Sequence, residues 1–179
     1  MQLGVYLSTD ADHLVMLEHS DDPATIKRLI ESHPAAIVDF SAEWCGPCKQ
    51  LAVDLEKVNK KYGDEVAIVK VDKDVVSGRK EVKGQVPMDK FVEILPFYAD
   101  VARLGGVPVI VFFKDGKKID KILDDGESKK GMVFGALPGL KAADNQFTSI
   151  EEIMAREKMI AGIKGAAVAE TRARSPRRK

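Results

Sequence analysis

Two cysteines placed where an apolar run meets a helix-forming run constrain this chain more than any other feature of it. Ala35-Ala36-Ile37-Val38-Asp39-Phe40 is a short, almost wholly apolar run of the kind that makes a strand buried on both faces. Ser41-Ala42-Glu43-Trp44-Cys45-Gly46-Pro47-Cys48 follows directly. Leu51, Leu55, Val58 and Tyr62 then recur at helical spacing up to Gly63, a suitable helix stop. Cys45 therefore falls at or just before a helix N-terminus, where unpaired amides and the positive end of the helix dipole favour thiolate over thiol. Cys45 and Cys48 are the only cysteines, so there is no wider disulfide framework and no second cysteine pair to complete a four-sulfur metal site. A zinc site drawing on two of His13, His19 and His33 lacks suitable histidine spacing. A purely structural disulfide would need an oxidising compartment, for which the sequence carries no signal. The pattern reads as a dithiol that can close into a small ring.

The acid inside the apolar run is the anomaly. A buried carboxylate costs several kcal/mol unless it is paired or protonated, so Asp39 has a partner or a raised pKa. Composition is otherwise ordinary: 45% hydrophobic and 31% charged residues in a chain of 179, enough for one well-cored domain. The 28 basic and 28 acidic side chains cancel, which argues against nucleic acid or an anionic membrane as the partner. No apolar stretch approaches the ~18 residues of a membrane span. The opening Met1-Gln2-Leu3-Gly4-Val5-Tyr6-Leu7 lacks the basic start of a secretory signal. The expectation is a reducing compartment, most simply the cytoplasm, with the nucleus as the alternative that a basic tail allows.

Ile37 to Lys49, with Trp44-Cys45-Gly46-Pro47-Cys48 at its centre, resembles the active-site segment of thioredoxins almost letter for letter. The Gly-Pro between the sulfurs points to the reductase branch rather than to glutaredoxins, protein disulfide isomerases or tryparedoxins. The resemblance implies an α/β thioredoxin fold, a central mixed β-sheet flanked by helices. It implies disulfide exchange on protein substrates, with Cys45 as nucleophile and Cys48 as resolving thiol. Asp39 would be the buried group assisting proton transfer, with Lys70 near it, and Trp44 would shield the pair while Pro47 stiffens its ring. Gly105-Gly106-Val107-Pro108 resembles the loop before the family's fourth strand. By that likeness Pro108 is cis, and Gly106 and Val107 join Trp44, Gly46 and Pro47 in binding substrate. No bound cofactor or metal is implied beyond the redox-active Cys45–Cys48 disulfide. NADPH enters only indirectly, through a thioredoxin reductase or equivalent donor.

The chain also departs from the pattern. Val53 stands where thioredoxins usually have a kinking proline, so a straighter helix is expected, and Val109 replaces the usual Thr. A thioredoxin domain takes about 105 to 110 residues, within the common domain range, so a surplus remains. It divides into an N-terminal extension at 1–13, a domain at 14–165 and a basic tail at 166–179. An insertion at about 75–104 lengthens the connection before the cis-proline strand, where nucleoredoxins and tryparedoxins are also enlarged. Within it Phe91, Leu95 and Tyr98 recur at helical spacing, with Pro96 set to kink or divide the segment. A lengthened helix packed on the sheet is the plainer reading of that stripe, and a partner surface the functional one. The competing reading of the whole is a thioredoxin fold retained as a binding or assembly module.

Elsewhere, Leu14 to Leu17 reads as the first strand, and Asp22-Pro23 as the cap and first turn of a helix whose apolar face is Ile26, Leu29 and Ile30. Glu65 to Asp72 is the next strand. Lys114-Asp115-Gly116-Lys117 is a hairpin turn leading into a last strand at 118–123. Residues 124–147 read as a long loop holding Gly126 and Gly135, two candidates for the glycine that thioredoxins place near the active site. Ser149 and Glu152 form a capping box for a final helix reaching Ile160. Arg172 to Lys179 has the composition of a nuclear-import or nucleic-acid patch, although most short basic tails are simply solvated.

Overall fold

The structure, a computed structural model, describes residues 17–120, 132–134, 140–142, 145–147 and 150–161. The described elements are, in chain order, β1 (Glu18–His19), α1 (Pro23–Ser32), β2 (Ala35–Ser41), α2 (Gly46–Tyr62), β3 (Val66–Asp72) and α3 (Lys73–Val76). They continue with α4 (Met88–Ile94), α5 (Tyr98–Arg103), β4 (Val109–Lys114), β5 (Lys117–Lys118), β6 (Met132–Phe134), β7 (Leu140–Ala142), β8 (Asn145–Phe147) and α6 (Ile150–Arg156). The main sheet runs β1-β3-β2-β4-β5, with β6 also on β4, while β7 and β8 pair with each other. β3 is parallel to β1 and β2, and β4 runs antiparallel to β2. The class is therefore α/β with a mixed sheet and helices on both faces.

β2 is the centre of this arrangement because every one of its residues is buried. Its alternation divides the core. Ala35 and Ile37 face a cluster built from Leu51, Leu55 and Val58 of α2 and Ile150, Ile153 and Met154 of α6. Ala36, Val38 and Phe40 face a second cluster holding Ile26, Leu29 and Ile30 of α1 together with Phe91, Leu95, Tyr98 and Val101. Two inner strands covered on both sides carry near-continuous apolar runs for this reason. α1 starts as its sequence dictates, with the Asp22 carboxylate accepting from the Thr25 amide at 2.9 Å and Pro23 in the first turn.

The inserted connection is part of the second core layer. Leu95-Pro96-Phe97 divides it into α4 and α5, since proline cannot donate within a helix. Phe91 packs edge-on against Tyr98 at 4.8 Å between ring centroids, Tyr98 lies 5.4 Å from Phe40, and Phe97 meets Phe113 edge-on at 5.0 Å. The aromatic stripe is thus core material.

Several expectations need correction. β1 lies at Glu18–His19, later than the Leu14–Leu17 run, of which residues 14–16 fall outside the described set. Gly63 ends α2 in right-handed helical conformation rather than by a left-handed turn. A Cβ there would stand 2.6 Å from the Asn59 carbonyl oxygen, so close approach rather than φ demands glycine. The 124–147 stretch contains strands β6, β7 and β8, with Val109, Ile110 and Val111 paired to Phe134, Val133 and Met132. Strand β5 covers Lys117–Lys118, and 121–123 lie outside the described residues, as do Gly126, Gly135, Ser149, the 1–13 extension and the 166–179 tail. α6 stops at Arg156, and Ile160 is buried beyond it. The Lys114–Lys117 hairpin turns through Asp115 and Gly116, both with positive φ (49° and 73°), the geometry a two-residue hairpin requires.

Candidate active site

The chain leaves β2 at Ser41, makes one turn and enters α2 with Cys45 as its N-cap. Cys45 and Cys48 are joined, with an S–S distance of 2.02 Å and 5.3 Å between their Cα atoms. Cys45 Sγ accepts the Cys48 amide at 3.1 Å, so the sulfur takes the place of the oxygen that normally satisfies a helix's first free amides. The same amides favour negative charge on that sulfur once the bond is reduced. Gly46 and Pro47 form the first turn, where proline sacrifices no hydrogen bond. α2 then runs unbroken past Val53, which is exposed.

Both cysteines are buried, Cys45 at 3% exposure. Ala42 and Val107 close on the pair. Val107 belongs to the loop preceding β4, and the Val107–Pro108 peptide is cis. Trp44 stands 67% exposed, with its indole Nε1 donating to Asp74 Oδ2 at 2.6 Å.

Asp39 lies on the face of β2 that α2 covers, fully buried, and neither carboxyl oxygen has a hydrogen-bond partner among the described residues. Burial pushes its pKa up to about 7, with the nearby Lys70 charge pulling the other way. Lys70 is its register neighbour on the adjacent parallel strand β3. A buried carboxyl poised near neutrality is a group able to take up and release a proton.

Two residues with no signature in the sequence complete the site, and both come from α3. Asp74 holds Trp44, as above. Lys73, only 7% exposed, donates from Nζ to the carbonyls of Leu104 and of Gly106, the latter at 3.0 Å. Burial pushes its pKa below the ordinary lysine value, Arg79 adding to the effect and Asp74 opposing it. The start of the inserted segment is fastened to the same region: Arg79 approaches Asp74 at 3.8 Å, and Lys80 reaches Glu43 at 3.5 Å and Asp72 at 3.3 Å.

A family model described as Thioredoxin matches residues 18–87. Thioredoxin 1 of Synechococcus elongatus is 30% identical over 101 residues, covering 56% of this chain and 77% of that protein. The thioredoxin of Mycolicibacterium smegmatis is 31% identical over 104 residues, covering 58% of this chain and 77% of its own length. The chain belongs to the thioredoxin family. It is a thiol-disulfide oxidoreductase with a redox-active cysteine pair. It also matches chloroplastic Thioredoxin X of Arabidopsis thaliana, 30% identical over 63% of this chain, and spans about half (51%) of that relative's length. Disulfide-containing substrates and a reducing partner follow in general terms from membership of this thioredoxin family, which requires no prosthetic group.

Proposed function

We propose that this thioredoxin works as a protein disulfide reductase, with Cys45 the attacking thiol. The observation that carries the reading is the Cys48 amide directed at Cys45 Sγ on a helix N-terminus, which favours the thiolate at that position. In the forward cycle Cys45 thiolate attacks one sulfur of a substrate disulfide. A Cys45–substrate disulfide forms, the substrate S–S bond breaks, and the departing substrate thiolate takes a proton from solvent. Cys48 then loses its proton with Asp39 as acceptor and attacks Cys45 Sγ, which reforms the Cys45–Cys48 bond and expels the second substrate sulfur as a thiolate, protonated in turn by Asp39 or solvent. Two electrons and two protons pass to the substrate. Trp44, Gly46, Pro47, Gly106, Val107 and Pro108 frame the approach, and Lys70 moderates the Asp39 charge. A thioredoxin reductase drawing on NADPH, or an equivalent donor, returns the pair to the dithiol in a reducing compartment such as the cytoplasm.

Insulin disulfide reduction, driven once by dithiothreitol and once by NADPH with thioredoxin reductase, tests this directly. Turnover in both is expected, with Cys45→Ser inactive and Cys48→Ser accumulating a mixed disulfide separable on a non-reducing gel. Turnover with dithiothreitol alone would replace the electron donor. Inactivity in both assays would leave a thioredoxin fold used for binding.

A further inference from the structure

Trp44 precedes Cys45 in the chain, and Val107 of the facing loop packs on the cysteine pair. Both Trp44 and this loop are tied to the short helix α3, by successive residues. Asp74 takes the Trp44 indole, and Lys73 takes the carbonyls of Leu104 and Gly106. A lysine is an unusual choice for a place this buried, because desolvating an ammonium is costly unless fixed acceptors replace its water. Here two backbone carbonyls supply that replacement. Both belong to the loop at 104–107, and the second is the residue immediately before Val107, which packs on Ala42, Cys45 and Cys48.

We propose that Lys73 is a positioning residue for disulfide exchange, fixing the Leu104–Gly106 backbone so that Val107 presents a defined edge beside the Cys45–Cys48 pair to incoming protein substrates. The inference rests on the reductase reading. Without the ammonium, both carbonyls would face apolar surroundings or turn toward water, and the loop would occupy several arrangements, few of which match the approach line to Cys45. Substrates that lie along the loop would bind less well. A small disulfide that touches only the sulfurs would be reduced as before. Lys73 touches no reacting atom, so its removal changes docking and not bond exchange.

The test compares reduced wild type with Lys73→Met, which keeps the stem and loses the charge, on two substrates: insulin and hydroxyethyl disulfide. The expected result is a fall in kcat/KM on insulin of about tenfold to a hundredfold, carried by KM, the size of loss that misplacement near a reacting centre produces. The rate on hydroxyethyl disulfide should stay within about twofold, a difference too small to signal a changed barrier. An unchanged KM for insulin, or equal losses on both substrates, would overturn the positioning role. Should Lys73→Met not fold, Lys73→Gln, which keeps an amide donor toward one carbonyl, is read in the same way and should show a smaller loss confined to KM. Failure of both variants to fold would make Lys73 a residue of stability alone and overturn the inference. Wild type inert toward both disulfides would overturn the reductase reading and this inference with it, whereas active wild type with an indifferent variant overturns this one only.

Discussion

At the scale of single residues, Asp39 sets the terms. Its pKa of about 7 in the folded protein stands well above the ordinary 3.8 because burial penalises the charged form. An acid that binds its proton more tightly when folded makes stability fall as pH rises between the unfolded and folded pKa values. The contribution is therefore intact below about pH 4, declines up to about pH 7 and is lost above, a span of roughly 4 kcal/mol. Asp39→Asn removes the titration. The variant is expected to exceed wild type by about 2–4 kcal/mol at pH 8, less whatever its buried amide costs, with the gap closing toward pH 4. Urea unfolding of both oxidised proteins at each pH measures this. A gap that does not narrow on acidification would mean that Asp39 has solvent or a hydrogen-bonding partner, and would remove its candidacy as proton acceptor for Cys48.

At the scale of elements, helix ends show what local chemistry decides. After α6, the Lys158 amide donates to Ala155 and the Met159 amide to Met154, while Lys158 adopts φ 49°. This is a Schellman ending with lysine where glycine is preferred, and a Cβ in left-handed conformation costs about 1 kcal/mol. Lys158→Gly should stabilise by roughly that amount, whereas Lys158→Ala, which keeps the Cβ, should not. Paired thermal melts decide it, and an alanine variant as stable as the glycine one would count against backbone strain as the cause. The same ending explains why Ile160 was an unsafe guide to the length of α6: it is buried by the chain reversing onto the core, with no helical turn beneath it. Elements with long, consistent patterns were legible from sequence, notably α1 with its Asp22 cap, β2, the motif and α2. The division of the insertion at Pro96 was legible too. Strands β6, β7 and β8 were not, because each is only three residues long among Gly, Asp and Lys, too short for period-two alternation to show. In the site, Cys45, Cys48, Asp39 and Pro108 stood out by motif. Lys73 and Asp74 did not, since a charged pair after a strand looks like any solvated turn until the loop at 104–107 and Trp44 are brought to it in space.

At the scale of the whole molecule, the insertion either belongs to the cooperative unit or hangs from it as an arm for partners. Its aromatic residues argue for the first. Phe91, Leu95, Tyr98 and Val101 share one cluster with Val38 and Phe40 of β2 and Val109, Val111 and Phe113 of β4, so they cannot separate without opening the face of the central strands. The other end of the molecule is tied to the same segment through Arg79 and Lys80, which reach Asp74, Glu43 and Asp72 around Trp44. Trp44 is the only tryptophan, so its fluorescence reports on the dithiol end alone, whereas far-UV circular dichroism reports on the whole backbone. Unfolding followed by the two probes should coincide, as for a single two-state domain. Phe91→Ala, some distance along the chain from Trp44 and fully buried, should then shift both curves together by about 3–5 kcal/mol, the usual loss for emptying a buried phenylalanine site. If the dichroism curve moved while the fluorescence curve stayed, the insertion would be a separable arm, and the surface it presents beside Trp44 would be free to serve partners independently of the fold. Coincident shifts would instead mean that the added layer is a condition for holding the loop beside the dithiol in place, which makes the insertion structural first and leaves recognition to Trp44 and the Val107 loop.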